Sequence, residues 1–178
     1  MTQSSSRLPA FQDGLNDNHC WGCGTLNDAG LHIESRWEGE EAVCVWQPPE
    51  IYAAGPRHVL NGGIIATILD CHSICTAIAD AYRGEGREMG TDPDIWYVTG
   101  SLKVTYLKPT PIDQPVTLQA RVTETSGRTS RQMYFLLRYA VEMLVSACVM
   151  CRSLAVGSDA IRSRSIPGSI SAPAGMPI

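Results

Sequence analysis

Residues 61–70 read NGGIIATILD and are followed by CHSICTAIADAY at 71–82. Two glycines turn the chain straight into an apolar run. Ile64, Ile68, Cys71, Cys75, Ile78 and Tyr82 step by fours and threes, the spacing of one buried helix face. Ile65, Leu69, Ile74 and Ala79 make the run apolar nearly all round, which predicts a helix over 62–82 in the middle of the fold. One carboxylate, Asp70, sits just over two turns inside it. A charge is costly to bury without a partner or a function. The unpaired N–H groups of a helix start, for their part, suit an oxygen that is becoming negative. Oxyanion donor and carboxylate on one short element point to an enzyme acting on a carbonyl.

Outward from the helix, LHIESRW (31–37) and AVCVW (42–46) alternate as strands, with EGEE between them as a hairpin loop. PPE at 48–50 and GPRH at 55–58 are turn signals. Residues 83–94 read as loop. Further strands are predicted over 95–106, 115–126, 128–139 and 144–156, with Val116, Leu118, Ala120 and Val122 alternating cleanly. Pro109, Pro111 and Gly127 mark turns, while the join over 140–143 has neither Gly nor Asn. A strand pair, a buried helix and three or four long antiparallel strands make an α+β domain, one long antiparallel sheet wrapped around one central apolar helix. Residues 1–18 read as a loosely held N-terminal arm, 19–157 as the domain, and 158–178 as a tail rich in Ser, Pro and Gly.

A chain of 178 residues suits one domain with a sizeable core. Its 44% hydrophobic against 18% charged residues suits a body with buried or self-associating surface. The net charge of −4, with no Lys/Arg cluster to offset it, argues against a nucleic-acid partner. The opening residues lack the apolar core of a secretory signal, and no apolar run approaches the roughly 20 residues of a membrane span. Seven cysteines, an odd number, fit a reduced compartment better than a disulfide framework. The expectation is a soluble, cytoplasmic protein without a membrane partner. Cys20-Trp21-Gly22-Cys23 and Cys148-Val149-Met150-Cys151 invite a zinc reading. Residues three apart in a strand face opposite sides, however, so the second pair does not chelate readily. The expectation is packing cysteines and no metal.

Three blocks carry a resemblance. CWGCGTLNDAGLHI (20–33) is similar to a Cys-x-x-Cys-Gly…Gly-Leu segment, HVLNGGIIATILD (58–70) to His-Gly-Gly followed by a helix bearing Asp or Glu, and VTGSLKVTYLKPTP (98–111) to a long strand ending in Tyr-Leu-x-Pro. In this order and spacing, across about residues 20–157, they resemble the hotdog-fold acyl-CoA thioesterases of the phenylacetate-pathway type, in the 4-hydroxybenzoyl-CoA thioesterase superfamily. The resemblance implies a hotdog fold over 19–157 and hydrolysis of an acyl-CoA substrate without a cofactor. It also implies a homodimer or homotetramer with the site between subunits. Carried over by position, Gly62 supplies the oxyanion N–H, Asp70 is base or nucleophile, and Thr99 is the hydroxyl residue contributed by the partner subunit.

Asn61 stands where the family usually has His. It keeps hydrogen bonding but cannot titrate, and it also reads as a helix N-cap. Gly63 completes the turn, and His58 is a candidate to replace the missing His. Ser73, three residues after Asp70, shares its helix face and is expected to hold the carboxylate. His72 is about 200° around the helix from Asp70, so a dyad of the two is geometrically poor. Arg128 and Arg131, with Arg57, Lys108 and Arg152, are candidates to meet the phosphates of coenzyme A. Trp96, Tyr97, Met89 and the loop 83–94 are candidates to shape an acyl pocket. Two other readings stand beside hydrolysis: a non-hydrolytic acyl-CoA binding protein, suggested by Asn61, and a hotdog hydratase or dehydratase, for which only His58 offers an imidazole.

Overall fold

The computed structural model describes residues 9–126, 130–138 and 148–154, with side chains described as far as residue 123. Six strands form one antiparallel sheet: β1 (Arg36–Glu38), β2 (Glu41–Trp46), β3 (Trp96–Lys103), β4 (Val116–Ser126), β5 (Ser130–Arg138) and β6 (Cys148–Leu154). Their order is β1-β2-β4-β5-β6-β3, so β3 is an edge strand although it comes third in the chain. The alternation in β4 is real: Val116, Leu118 and Ala120 are buried, and the residues between them are not.

The helix α1 (Gly62–Gly84) packs across β3, β4, β5 and β6. Ile68, Leu69, Cys75 and Ile78 are completely buried, which fits a helix apolar on more than one face. With 23 residues, and a mean hydropathy of 1.5 over an 18-residue stretch of it, α1 is by length and composition apolar enough to cross a bilayer. The expectation that no run approaches a membrane span is thus corrected, although more than half of α1 is buried inside this domain.

Three boundaries differ from the sequence expectation. Residues 31–35 alternate between buried and exposed, yet β1 begins only at Arg36. Their backbone bonds go elsewhere: Leu31 N–H to Trp21 O (2.8 Å) and Ile33 N–H to Gly22 O (3.3 Å), while Ser35 O accepts Phe11 N–H (2.8 Å). Residues 10–18 are therefore no loose arm; Phe11 and Leu15 join the core, and Gln12 and Asn18 are buried. Lastly, β3 stops at Lys103, opposite the first residue of β6, rather than at 106. The chain then leaves the sheet to pair Pro111 with Val59 at the entrance to α1. The 140–143 join and the tail from 158 lie outside the described residues.

Candidate active site

Two segments build the entry to α1. Leu60 N–H donates to Thr110 O (2.8 Å), Ile112 N–H to His58 O (3.2 Å) and Asn61 N–H to Tyr52 O (3.0 Å). The Asn61 side-chain oxygen then accepts Gly63 N–H at 2.8 Å, and its carbonyl accepts Ile65 N–H at 3.1 Å. Asn61 is thus an N-cap, and Gly63 N–H is spent on it. Gly62 N–H meets no acceptor among the described residues and remains a donor at the positive end of the helix dipole. Tyr106, which leaves the sheet just beyond β3, donates its hydroxyl to Gly62 O at 2.6 Å. A methyl group on Gly62 would touch the Tyr106 ring at 3.5 Å, so the ring walls one side of that donor. The sequence reading held Tyr106 only as the end of a strand; its Tyr-Leu-x-Pro setting was the available signal.

Asp70 is half-buried, and Thr99 on β3 donates its hydroxyl to Asp70 Oδ1. Burial holds the carboxyl above its ordinary pKa; the Thr99 hydrogen bond pulls the other way, and charge on Cys23 adds a further upward push. A carboxyl tuned upward in this way is a better proton acceptor at neutral pH than a solvated one. Asp70 and Thr99 form part of the wall of a cavity of about 320 Å³. Leu15, Ile74, Ile78, Trp96, Tyr97 and Val98 give the wall its apolar character, and Cys20, Cys23, Cys71 and Cys75 complete it with Asn18. That volume is at the small end of small-molecule sites. Trp96 and Tyr97 stand where the sequence placed them. Met89 does not line this cavity; it packs against Gly14.

Several expectations about the site are corrected. Thr99 meets Asp70 of its own chain, so the partner subunit is not needed to deliver this hydroxyl. Ser73 is fully buried and donates to Leu69 O, the back-bond a helical serine makes when no better partner is near, so it does not hold Asp70. His72 is indeed no partner for Asp70: Nδ1 is 2.8 Å from Ser35 Oγ and Nε2 is 3.2 Å from Ala42 O. Because Ala42 O can only accept, Nε2 carries the proton and Ser35 donates to Nδ1. Gln12 Nε2 in turn donates to Ser35 Oγ (3.1 Å), a buried network with no signal in the residue pattern.

The spacing on α1 matters most. Gly62 and Asp70 are eight residues apart, about 12 Å along the helix. A carbonyl held about 3 Å from its oxyanion donor and attacked from about 3 Å by a carboxylate needs the two groups within roughly 7 Å. Within one chain they do not converge on one directly attacked carbonyl. His58 is exposed on the turn before the helix. Arg57 and Lys108 are exposed on the two segments joined by the Val59–Pro111 bridge. Arg128 lies outside the described residues, as do the side chains of Arg131 on β5 and Arg152 on β6.

Residues 58–131 match the family model of the thioesterase superfamily, 74 of the 178 residues, running from the helix entry through α1, β3 and β4 into β5. No curated protein matches the chain. Among solved structures, a thioesterase superfamily protein from Shewanella loihica PV-4 is similar over 68% of this chain and 90% of that one, at 23% identity and a TM-score of 0.55. A phenylacetic acid degradation-related protein from Ralstonia eutropha JMP134 covers 68% and 85%, at 17% identity and TM-score 0.53. The PaaI protein of the E. coli phenylacetic acid degradation operon covers 70% and 80%, at 11% and 0.55. At these identities the likeness is one of fold. The fold is a hotdog, and residues 58–131 are similar to the thioesterase superfamily.

Proposed function

We propose that this protein hydrolyses an acyl-CoA thioester, with Asp70 as general base or nucleophile and Gly62 N–H as oxyanion donor. The observation that carries the reading is a half-buried carboxylate pinned by Thr99 in the wall of an apolar cavity, on a helix whose first N–H has no acceptor among the described residues. A thiolate leaves readily, so thioester hydrolysis asks little acid catalysis of the departing group. It asks for oxyanion stabilisation, worth about 10²–10³ in rate per donor, and a base worth about 10²–10⁴.

The 12 Å spacing makes this a reading of two chains. A second copy, docked edge to edge on β3 with its helix antiparallel, brings its Gly62 towards Asp70 of the first. The position of β3 at the sheet edge, with Val98 exposed, supports that docking. Homodimer or homotetramer is then the working assembly. Arg57 and Lys108, exposed on the segments that enter and flank the helix start, suit the phosphates of coenzyme A.

The test is release of coenzyme A from short, medium, long-chain and aryl acyl-CoAs, followed by chromatography because the protein's own thiols react with thiol dyes. The expected result is turnover in the wild type and a fall of at least 10²-fold in Asp70→Asn, with folding and oligomer size retained. Turnover unaffected by Asp70→Asn would overturn the assignment. Binding of the thioesters with no turnover on any of them would replace it with a non-hydrolytic acyl-CoA binder, a role in which the non-titrating Asn61 costs nothing.

A further inference from the structure

Of the seven cysteines, Cys20, Cys23 and Cys71 converge in one place, and Cys75 adjoins Cys23. Cys20 and Cys23 sit on a tight turn in which Gly24 N–H bonds back to Cys20 O at 2.7 Å. Cys71 and Cys75, four residues apart on α1, share a helix face. Cys20 Sγ is 3.6 Å from Cys71 Sγ, and Cys75 Sγ is 3.8 Å from Cys23 Sγ. The sulfurs of Cys20, Cys23 and Cys71 all lie within 4.8 Å of one another. The first Cys-x-x-Cys pair therefore meets Cys71 and Cys75 on the helix, while the side chains of Cys148 and Cys151 lie outside the described residues.

We infer that Cys20, Cys23, Cys71 and Cys75 form a mononuclear site for a thiophilic divalent cation, zinc, which ties the N-terminal turn to α1. Zinc–thiolate bonds of about 2.3 Å at tetrahedral angles set ligand sulfurs about 3.8 Å apart. The two cross-pair separations, 3.6 and 3.8 Å, bracket that edge. Disulfides need only two sulfurs each, at about 2.05 Å, and apolar packing gives no reason for three thiols to converge with a fourth beside them.

The surroundings suit thiolates. Asn18, almost fully buried, directs Nδ2 to Cys23 Sγ at 3.8 Å while its Oδ1 accepts Cys20 N–H at 3.1 Å. Amide donors of this kind orient ligating sulfurs and stabilise their charge. The turn is also shaped for close approach. A Cβ on Gly22 would stand 2.3 Å from Cys71 Sγ, and one on Gly24 would stand 2.5 Å from Cys20 N and O, so only glycine lets this backbone lie so flat on the helix. A bound dication releases the thiol protons to solvent. Cys20 is exposed and gives the ion a way in.

The experiment uses the full chain, purified under reducing conditions without chelator, incubated with excess zinc and desalted. Elemental analysis is expected to find close to one zinc per chain. Cobalt(II) loaded in its place is expected to give near-ultraviolet thiolate-to-cobalt charge transfer and the intense visible bands of a tetrahedral site, both bleached by zinc. Cys23→Ser and Cys71→Ser lose the ion, and Cys44→Ser, buried on β2, keeps it. A wild-type chain that retains no zinc and shows only the faint spectrum of aqueous cobalt overturns the proposal, and that measurement needs no variant to fold. Intact mass showing two disulfides among these cysteines under the same reducing conditions overturns it as well, as does full zinc occupancy in folded Cys23→Ser. None of these readouts depends on thioester turnover.

Discussion

Gly22→Ala probes how closely the N-terminal turn lies on α1. The added methyl carbon would stand 2.3 Å from Cys71 Sγ and 3.1 Å from Thr67 Cγ2, both on the helix. Ordinary contact begins near 3.4 Å, so the turn must lift by about 1 Å or Cys71, itself buried, must leave its rotamer. Overpacking of this kind costs about 1–3 kcal/mol. In a domain of this size that lowers Tm by roughly 3–10 °C. Two other glycines calibrate the argument. Gly24→Ala places its methyl 2.5 Å from the backbone N and O of Cys20 and 2.7 Å from Asn18 O, groups that cannot rotate away, so it costs more. Gly55→Ala enters open space and stays within about 0.5 kcal/mol of wild type. Thermal and urea melts of the three variants in chelator, which keeps metal affinity out of the comparison, are expected to rank Gly24 worst, then Gly22, then Gly55. A Gly22→Ala melting within a degree of wild type, or a reversed ranking, would refute the packing described for this turn.

Three further outcomes are expected. Burial pushes the His72 pKa down to about 4 from the ordinary 6.5, so its neutral form stabilises the fold fully above pH 6.5 and that stability drains as pH falls towards 4. About 2 kcal/mol is gone by pH 5 and about 3 kcal/mol in all. Urea midpoints in chelator should show the loss, read in Asp70→Asn because the raised Asp70 pKa works with the opposite sign, and a flat profile from pH 7.5 to 5 would contradict it. Thr99→Val removes the donor to Asp70 without changing shape; turnover should fall about 10-fold with its acid limb shifted to higher pH, and Thr99→Ser should restore both. Burial pushes the Cys44 thiol up to about 12, so alkylation of native protein at pH 8 in chelator should map to exposed Cys20 and reach Cys44 only after unfolding.

What the sequence revealed and what it hid divide along a physical line. Periodicity within a single element was legible: the apolar helix over 62–82, the alternation of Val116, Leu118 and Ala120, and the hairpin between β1 and β2. Asn61 as a cap, and Gly62 and Asp70 on one helix, were legible too, since local hydrogen bonding and helix geometry act over a few residues. Partnership across the chain was not. Residues 31–35 alternate as a strand does, but Leu31 and Ile33 give their N–H groups to the Cys20–Cys23 turn and Ser35 gives its own to Gln12 Oε1, a choice made by tertiary packing. Ser73 shares a face with Asp70, but the nearer Leu69 carbonyl takes its hydroxyl. Cys71 lies 51 residues from Cys20, and nothing short of the folded chain brings their sulfurs to 3.6 Å.

The helix α1 must satisfy two demands that conflict, since burial asks for apolar or internally satisfied side chains and hydrolysis asks for a polar one that is left available. The structure resolves this residue by residue. Thr67 donates to Gly63 O (2.9 Å), Ser73 to Leu69 O and Thr76 to His72 O (2.7 Å), so these hydroxyls are consumed by the helix's own backbone. His72 is held at both ring nitrogens by Ser35 and Ala42 on the side away from the cavity. Of the α1 residues that line the cavity, Cys71, Ile74, Cys75 and Ile78 carry no oxygen or nitrogen on their side chains, and Asp70 alone does. The helix thus offers the cavity one carboxylate and no second oxygen or nitrogen group to take over its role. An Asp70→Asn variant should therefore lose the whole contribution of the base, about 10²–10⁴-fold in rate. If substantial turnover survived in it, the base would have to come from another element or another chain.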